Sequence, residues 1–495
     1  MLNSSKYCQT LLSVEAERLE VRDLVVVLPG ILGSTLVRDG QQVWAPSCGA
    51  VWRAIGSFGA SIQSLTLPVD LGDDHPGDGV EPLALMPDLH LLPGIWSANI
   101  GYDRLLGWLT QRFKLVLADP QNGATPGNLL PFAYDWRLSC RYNARRLKGV
   151  VEPALERWRA LDEANREARL IFICHSMGGL VARWYVEQEG GAAHTRKLIT
   201  IGTPHRGAVA ALQQLVNGVE KSVGPLRFDL SRFARSLPSA HQLLPQYACL
   251  ETGADLAPIS AVALPNVNPA LVADAVAFHA SLDAAPEGGA AAASAYALHP
   301  IVGTRQPTPT TARLVGERLE TSDAIEGARE GGDGTVPRLA AAPKALSPDD
   351  PRLRYAPDQH LGLHSHQAVF DELEGVLTAR PVIHRSLAGP EIGVRTEPLL
   401  LLGEPLLVWA DVAAREPLGL MAELLDEGGR LVERRKLRVQ DSGQGQGQDQ
   451  GQSCVFQPPR AGAWQVRVGA AGGSAGAVTR PVSAISLVCP LEQGP

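Results

Sequence analysis

Leu170-Ile171-Phe172-Ile173-Cys174-His175-Ser176-Met177-Gly178-Gly179-Leu180-Val181-Ala182 passes from a continuous apolar run, through a short polar break, into a small-residue stretch. An uninterrupted run such as Leu170 to Cys174 reads as a strand buried on both faces, the habit of a parallel sheet. Gly178 to Val186 reads as a helix that opens immediately after the strand. A serine at the tip of a tight strand-to-helix turn, with small residues two before and two after it, is a nucleophile elbow. Gly178 meets the second requirement, and Cys174 stands where the first small residue is expected. The helix N-terminus behind Ser176 favours negative charge developing there.

The pattern repeats on both sides of the elbow. Leu24-Val25-Val26-Val27-Leu28 and Lys197-Leu198-Ile199-Thr200-Ile201 are further buried-strand runs ending in turns, and Leu129 to Trp136 reads as another. Between them, Leu147, Val150, Val151, Ala154, Leu155, Trp158 and Leu161 follow helical spacing. Alternating strands and helices predict an α/β fold with a mostly parallel sheet. Ala297 to Gly303 returns to strand character, and Gln367 to Leu377 reads as a closing helix. Residues 208–296, rich in alanine, read as a helical cap insertion. Beyond about Pro390, Pro405–Val412, Gly419–Leu425, Arg430–Val439, Ala463–Val468 and Ile485–Val488 read as short strands. Their spacing predicts a small all-β, immunoglobulin-like sandwich over 390–495, with a flexible Gly/Gln loop at 443–452.

The chemistry follows from the elbow. A serine nucleophile needs a base and an orienting acid, in the chain order Ser, Asp, His for this architecture. Gly331-Gly332-Asp333-Gly334-Thr335-Val336-Pro337 supplies the favoured acid, Asp333, with Asp323 as its rival. Downstream lie His360, His364, His366 and His384. His360, in Gln359-His360-Leu361-Gly362-Leu363, is favoured on a loop before the closing helix, with His364 and His366 left open. The loop after the first strand, Leu28-Pro29-Gly30-Ile31-Leu32-Gly33-Ser34, offers the Ile31 N–H beside the Met177 N–H as an oxyanion hole. His175 and His205 read as neighbours of the site, since both precede Asp333. The cluster His360, His364 and His366 lacks an acidic partner at metal-site spacing, so neither metal nor cofactor is expected.

These motifs, with Tyr134-Asp135-Trp136-Arg137-Leu138 and Gly202-Thr203-Pro204-His205-Arg206-Gly207, resemble the lecithin:cholesterol acyltransferase-like α/β-hydrolases. That group includes phospholipases and phospholipid:diacylglycerol acyltransferases, and the resemblance covers roughly residues 22–378. It implies a Ser176, Asp333, His360 triad acting on acyl esters of lipids, beneath a lid and a cap. The lid corresponds to about residues 43–75, where Trp44, Trp52 and Phe58, with His175, are candidates to line the substrate site. The sequence around His360 is closer to small bacterial lipases, and the C-terminal sandwich has no counterpart in the family pattern.

Composition limits the alternatives. The chain has 495 residues, 45 Lys+Arg and 52 Asp+Glu, with a net charge of −7. Apolar residues at 45% and charged residues at 20% exclude wholesale disorder. The mild acidity excludes a basic nucleic-acid stripe. Seven scattered cysteines form no disulfide framework. Met1 to Arg22 lacks the apolar core of a signal peptide, and no run approaches the roughly 20 residues of a spanning helix. The expectation is a cytoplasmic lipid-ester hydrolase or O-acyltransferase with peripheral membrane contact. Its sandwich would bind a protein or a glycan. Two rival readings are a non-catalytic binding module and a lipase effector exported without a signal.

Overall fold

The computed structural model describes residues 18–45, 63–68, 70–87, 101–118, 126–223, 226–253, 255–284, 295–348, 350–378, 392–412, 418–426, 429–439, 451–471 and 481–489. The expected lid residues Trp52 and Phe58, His384, and most of the Gly/Gln tract lie outside these. Six strands form the central sheet: β1 (Leu24–Leu28), β2 (Leu129–Pro131), β3 (Leu170–His175), β4 (Thr195–Ile201), β5 (Ala297–Gly303) and β6 (Arg354–Ala356). Their order across the sheet is β6-β5-β4-β3-β1-β2, and every neighbouring pair is parallel.

Strand alternation splits the core in two. Leu24, Val26, Leu28, Phe172, Cys174 and Leu198 face one layer, with α2 (Cys140–Leu161) and α3 (Gly178–Gln188) packed on it. Val25, Val27, Ile171, Ile173, Ile199 and Ile301 face the other, under α1 (Asp103–Arg112) and α5 (Gln367–Thr378). A sheet covered on both faces has no use for alternating polar residues, which is why these strands read as unbroken apolar runs. This is the α/β-hydrolase fold.

Three expectations are corrected. The run Leu129–Trp136 is a strand only as far as Pro131. Beyond it the chain leaves the sheet, because Tyr134 donates to the Pro29 carbonyl, Trp136 Nε1 donates to that of Ser34, and Arg137 is drawn into an ion cluster. The insertion is not purely helical. Besides Val209–Asn217, Ser231–Ser236, Pro238–His241 and Pro269–Asp283 it holds a hairpin, Glu220–Val223 with Leu226–Asp229. It also holds Leu250–Thr252 and Asp255–Ala257, which share a sheet with Thr311–Val315 and Arg318–Ser322 from a second excursion after β5. Alanine-rich composition concealed these short strands, of which two pairs are local hairpins and one reaches Ala312. Finally, Trp44 is buried: its ring meets Trp136 edge-on at 5.1 Å and its N–H donates to Leu32. It packs beneath the Gly30–Gly33 turn as core.

At the C-terminal end, the strands expected from the sequence are joined by β7 (Ile392–Thr396), Leu399–Leu401 and Gln452–Phe456. They form a four-stranded and a five-stranded sheet that share one apolar core around Val408, Phe456, Trp464 and Val466. No helix among the described residues is long and apolar enough to cross a membrane. Cys140, Cys174, Cys249, Cys454 and Cys489 are free thiols.

The Tyr134–Leu138 motif is held by charge. Arg137, fully buried, bonds Asp135 at 2.7 Å and Asp78 at 2.7 Å. Removing one partner of a buried pair strands the other in a low-dielectric site. Arg137→Met should therefore cost about 3–5 kcal/mol in urea denaturation, and a loss below about 1 kcal/mol, the range of surface ion pairs, would contradict this.

Candidate active site

Ser176 sits between β3 and α3 with φ +52°, in the left-handed region that a non-glycine residue occupies only under constraint. The constraint is packing. A Cβ on Gly178 would stand 2.4 Å from the Pro29 carbonyl oxygen, so glycine alone lets the β1 loop close over the elbow. Gly30 in that loop lies directly against the Ser176 side chain.

Three loops at the C-terminal edge of the sheet converge here. His360 Nε2 lies 2.9 Å from Ser176 Oγ, and His360 Nδ1 lies 2.7 Å from Asp333 Oδ2. The other carboxylate oxygen, Oδ1, accepts from the Thr335 and Val336 amides at 3.0 and 2.7 Å. The Asp333 carbonyl accepts the His360 N–H at 2.7 Å, so acid and base are also tied through the backbone. Gly303, at the end of β5, leaves room for Asp333: a Cβ there would stand 2.4 Å from that of Asp333. His360 lies on a single helical turn, α4 (His360–Leu363), rather than on the loop expected.

The remaining candidates separate clearly. His364 is stacked on Tyr102 and bonds the Gly101 carbonyl at 3.0 Å. His366 Nδ1 accepts the Ala368 N–H at the start of α5. Asp323 pairs with Arg329. Met177 directly follows Ser176 and Ile31 directly follows Gly30, which lies against Ser176; among the described residues neither amide has a hydrogen-bond partner. His205 is buried and bonds Thr200 Oγ1 at 3.0 Å.

His175, read from the sequence as a neighbour or lining residue of the site, is buried and bonded at both ring nitrogens. Its Nε2 is 3.0 Å from the His360 carbonyl and must donate; its Nδ1 is 2.8 Å from the Tyr102 hydroxyl and must then accept. The Tyr102 oxygen in turn accepts the Gly30 N–H at 2.8 Å. One polarity satisfies every partner, and it needs a neutral imidazole. Burial holds His175 well below the usual histidine range, with His364 and His360 adding to the effect. Burial also raises the Tyr102 hydroxyl, so it stays protonated. Tyr102 lies 73 residues before His175, and no local signal marked it.

Asp358, two residues before His360, was likewise unforeseen. Its Oδ1 accepts from Gln359 N at 2.8 Å and from Ser483 N at 3.4 Å, the latter in the C-terminal sheets.

A parallel sheet, a serine elbow at φ +52° and a hydrogen-bonded Ser, His and Asp are features of the α/β-hydrolase fold. Residues 107–263 match the family model described as Lecithin:cholesterol acyltransferase, a segment that carries Ser176. Over that segment the chain is similar to the lecithin:cholesterol acyltransferase family. No curated protein sequence matches it. Among solved structures it is similar to a Bacillus licheniformis lipase. The mature form is 10% identical, with 72% of this chain and 92% of that one covered and a TM-score of 0.33. The propeptide form is 11% identical, with 91% and 72% covered and a TM-score of 0.35. A β-glucuronidase from Ruminococcus gnavus is 18% identical over 20% of this chain and 16% of its own, at a TM-score of 0.13.

Burial pushes the Asp358 carboxyl up to about 7, against an ordinary 3.8. The folded chain thus holds that proton more tightly than the unfolded chain, and stability contributed by this group falls as pH rises from about 4 to about 7. Asp358→Asn should gain melting temperature relative to wild type as pH is raised across that window. A constant offset at all pH values would refute the assignment.

Proposed function

We propose that the protein is a serine-dependent acyl-ester hydrolase or O-acyltransferase acting on lipids, with Ser176, His360 and Asp333 as its triad. The observation that carries this reading is the pair of short contacts on one imidazole, 2.9 Å to the serine and 2.7 Å to the carboxylate. The match to the lecithin:cholesterol acyltransferase model supports the lipid-ester class.

In this reading His360 carries its proton on Nδ1, donated to Asp333, and its bare Nε2 takes the proton of Ser176 Oγ as the serine attacks the ester carbonyl. The negative charge developing on that oxygen is met by the Ile31 and Met177 N–H groups and by the N-terminus of α3. The imidazolium then protonates the departing alcohol, leaving an acyl-serine. Water or a second alcohol, deprotonated by the same histidine, releases the acyl group. Asp333, buried with both oxygens occupied, holds the ring in one tautomer. The catalytic domain would span residues 1–380, with an immunoglobulin-like sandwich over 390–495.

A fluorophosphonate probe should label wild type and spare Ser176→Ala; equal labelling of both would end the proposal. Asp333→Asn keeps the shape but reverses the tautomer, and should lower kcat for p-nitrophenyl esters on the order of 10⁴-fold with little change in KM.

A further inference from the structure

β7 is the outer strand of its sheet, paired along one edge with Leu406–Val412. Its other edge would be exposed backbone, which sheets ordinarily protect. Two glutamines occupy it. Gln306 donates through Nε2 to the Ile392 carbonyl at 3.3 Å and accepts the Val394 N–H on Oε1 at 3.0 Å, so its amide reads the strand as a neighbouring peptide would. Gln359 Nε2 donates to the Val394 carbonyl at 2.9 Å.

Both glutamines are anchored in the site. The Gln306 backbone pairs with the acid loop, donating to Gly332 O at 2.9 Å and bridging Gly332 and Asp333. Its carbonyl accepts the Thr308 hydroxyl, whose oxygen accepts the Gly334 N–H. Gln359 immediately precedes His360, at the N-cap position of its helical turn. Ser483 N adds a contact to Asp358 on the same turn. Close approach is allowed by Gly393, where a Cβ would stand 3.1 Å from the Arg305 carbonyl and 2.1 Å from Asp411 Oδ1. Beside the clamp a cavity of about 250 Å³ is walled by Thr335, His360 and Leu361 on one side and by Val394, Thr396 and Ser483 on the other.

We infer that the C-terminal sandwich is a positioning part of the catalytic centre: the backbone of β7, gripped by Gln306 and Gln359, sets the separation of Asp333 and His360. The inference rests on the triad reading above. The physical logic is that acid and base come from two loops that the central sheet fixes only at their roots. A third body that holds both loops by directional amide bonds removes their independent motion. Misplacement of a catalytic group by about 1 Å can cost roughly a hundredfold in rate.

The test uses the full chain with Gln359→Met and Gln306→Met, which keep length and remove the amide, and with Gln359→Asn should either fail to fold. With p-nitrophenyl butyrate, each is expected to lower kcat roughly 10- to 100-fold while KM holds. The acidic limb of the kcat/KM profile, which reports the free base, should move. The strongly downfield proton NMR signal of His360 Nδ1–H, assigned by its loss in His360→Ala, should shift or broaden while the thermal transition persists. Wild-type kcat, a rise in KM alone, or an unmoved Nδ1 proton would each overturn the inference. The NMR signal separates it from the triad reading. A wild type inert toward every ester and toward fluorophosphonate sinks that reading, whereas a proton that moves in the glutamine variants still upholds the clamp.

Discussion

The left-handed backbone of Ser176 is the constraint on which the rest is built. A serine at φ +52° is held only because the surrounding chain leaves no relaxed alternative: β3 pairs on both sides, α3 starts two residues later, and the Pro29 carbonyl presses on Gly178. The cost of that conformation is offset by two apolar layers packed on the sheet. In return, the hydroxyl stands clear of its own backbone at the edge where the β1, β5 and β6 loops arrive.

The serine, histidine and aspartate at the elbow, and the residues that brace them, are buried and hydrogen-bonded. Asp333 uses both oxygens, His360 both ring nitrogens, and the Gly30, Tyr102, His175 and His360 series runs in a single donor direction. Such a series has one consistent protonation pattern, so it resists rearrangement in a low-dielectric site. It also links the loop that offers the Ile31 amide to the turn that carries the base.

Much of the fold was legible because buried parallel strands leave continuous apolar runs. Leu24–Leu28, Leu170–Cys174 and Lys197–Ile201 all lie in the central sheet. Ser176, Asp333 and His360 were legible because strand-turn-helix order and chain order restrict where a nucleophile, an acid and a base can stand. Short strands such as Leu250–Thr252 were not, since three residues carry no measurable period and one of the two partners lies some sixty residues away. Trp44 was left open for a related reason. An aromatic residue near an expected lid is written the same way whether it faces substrate or, as here, Trp136.

The sequence by itself determined the order and type of the main elements, the elbow, and the candidate nucleophile, acid and base. Those depend on local periodicity, on glycine's small volume and on motif order, which a linear chain expresses. Only the tertiary structure put His360, and not His364 or His366, within hydrogen-bond reach of Ser176, and brought Tyr102, Asp358, Gln306 and Gln359 to the site. Their roles depend on directional hydrogen bonds between residues far apart in the chain. An amide side chain carries no mark in the sequence of which strand edge it will meet.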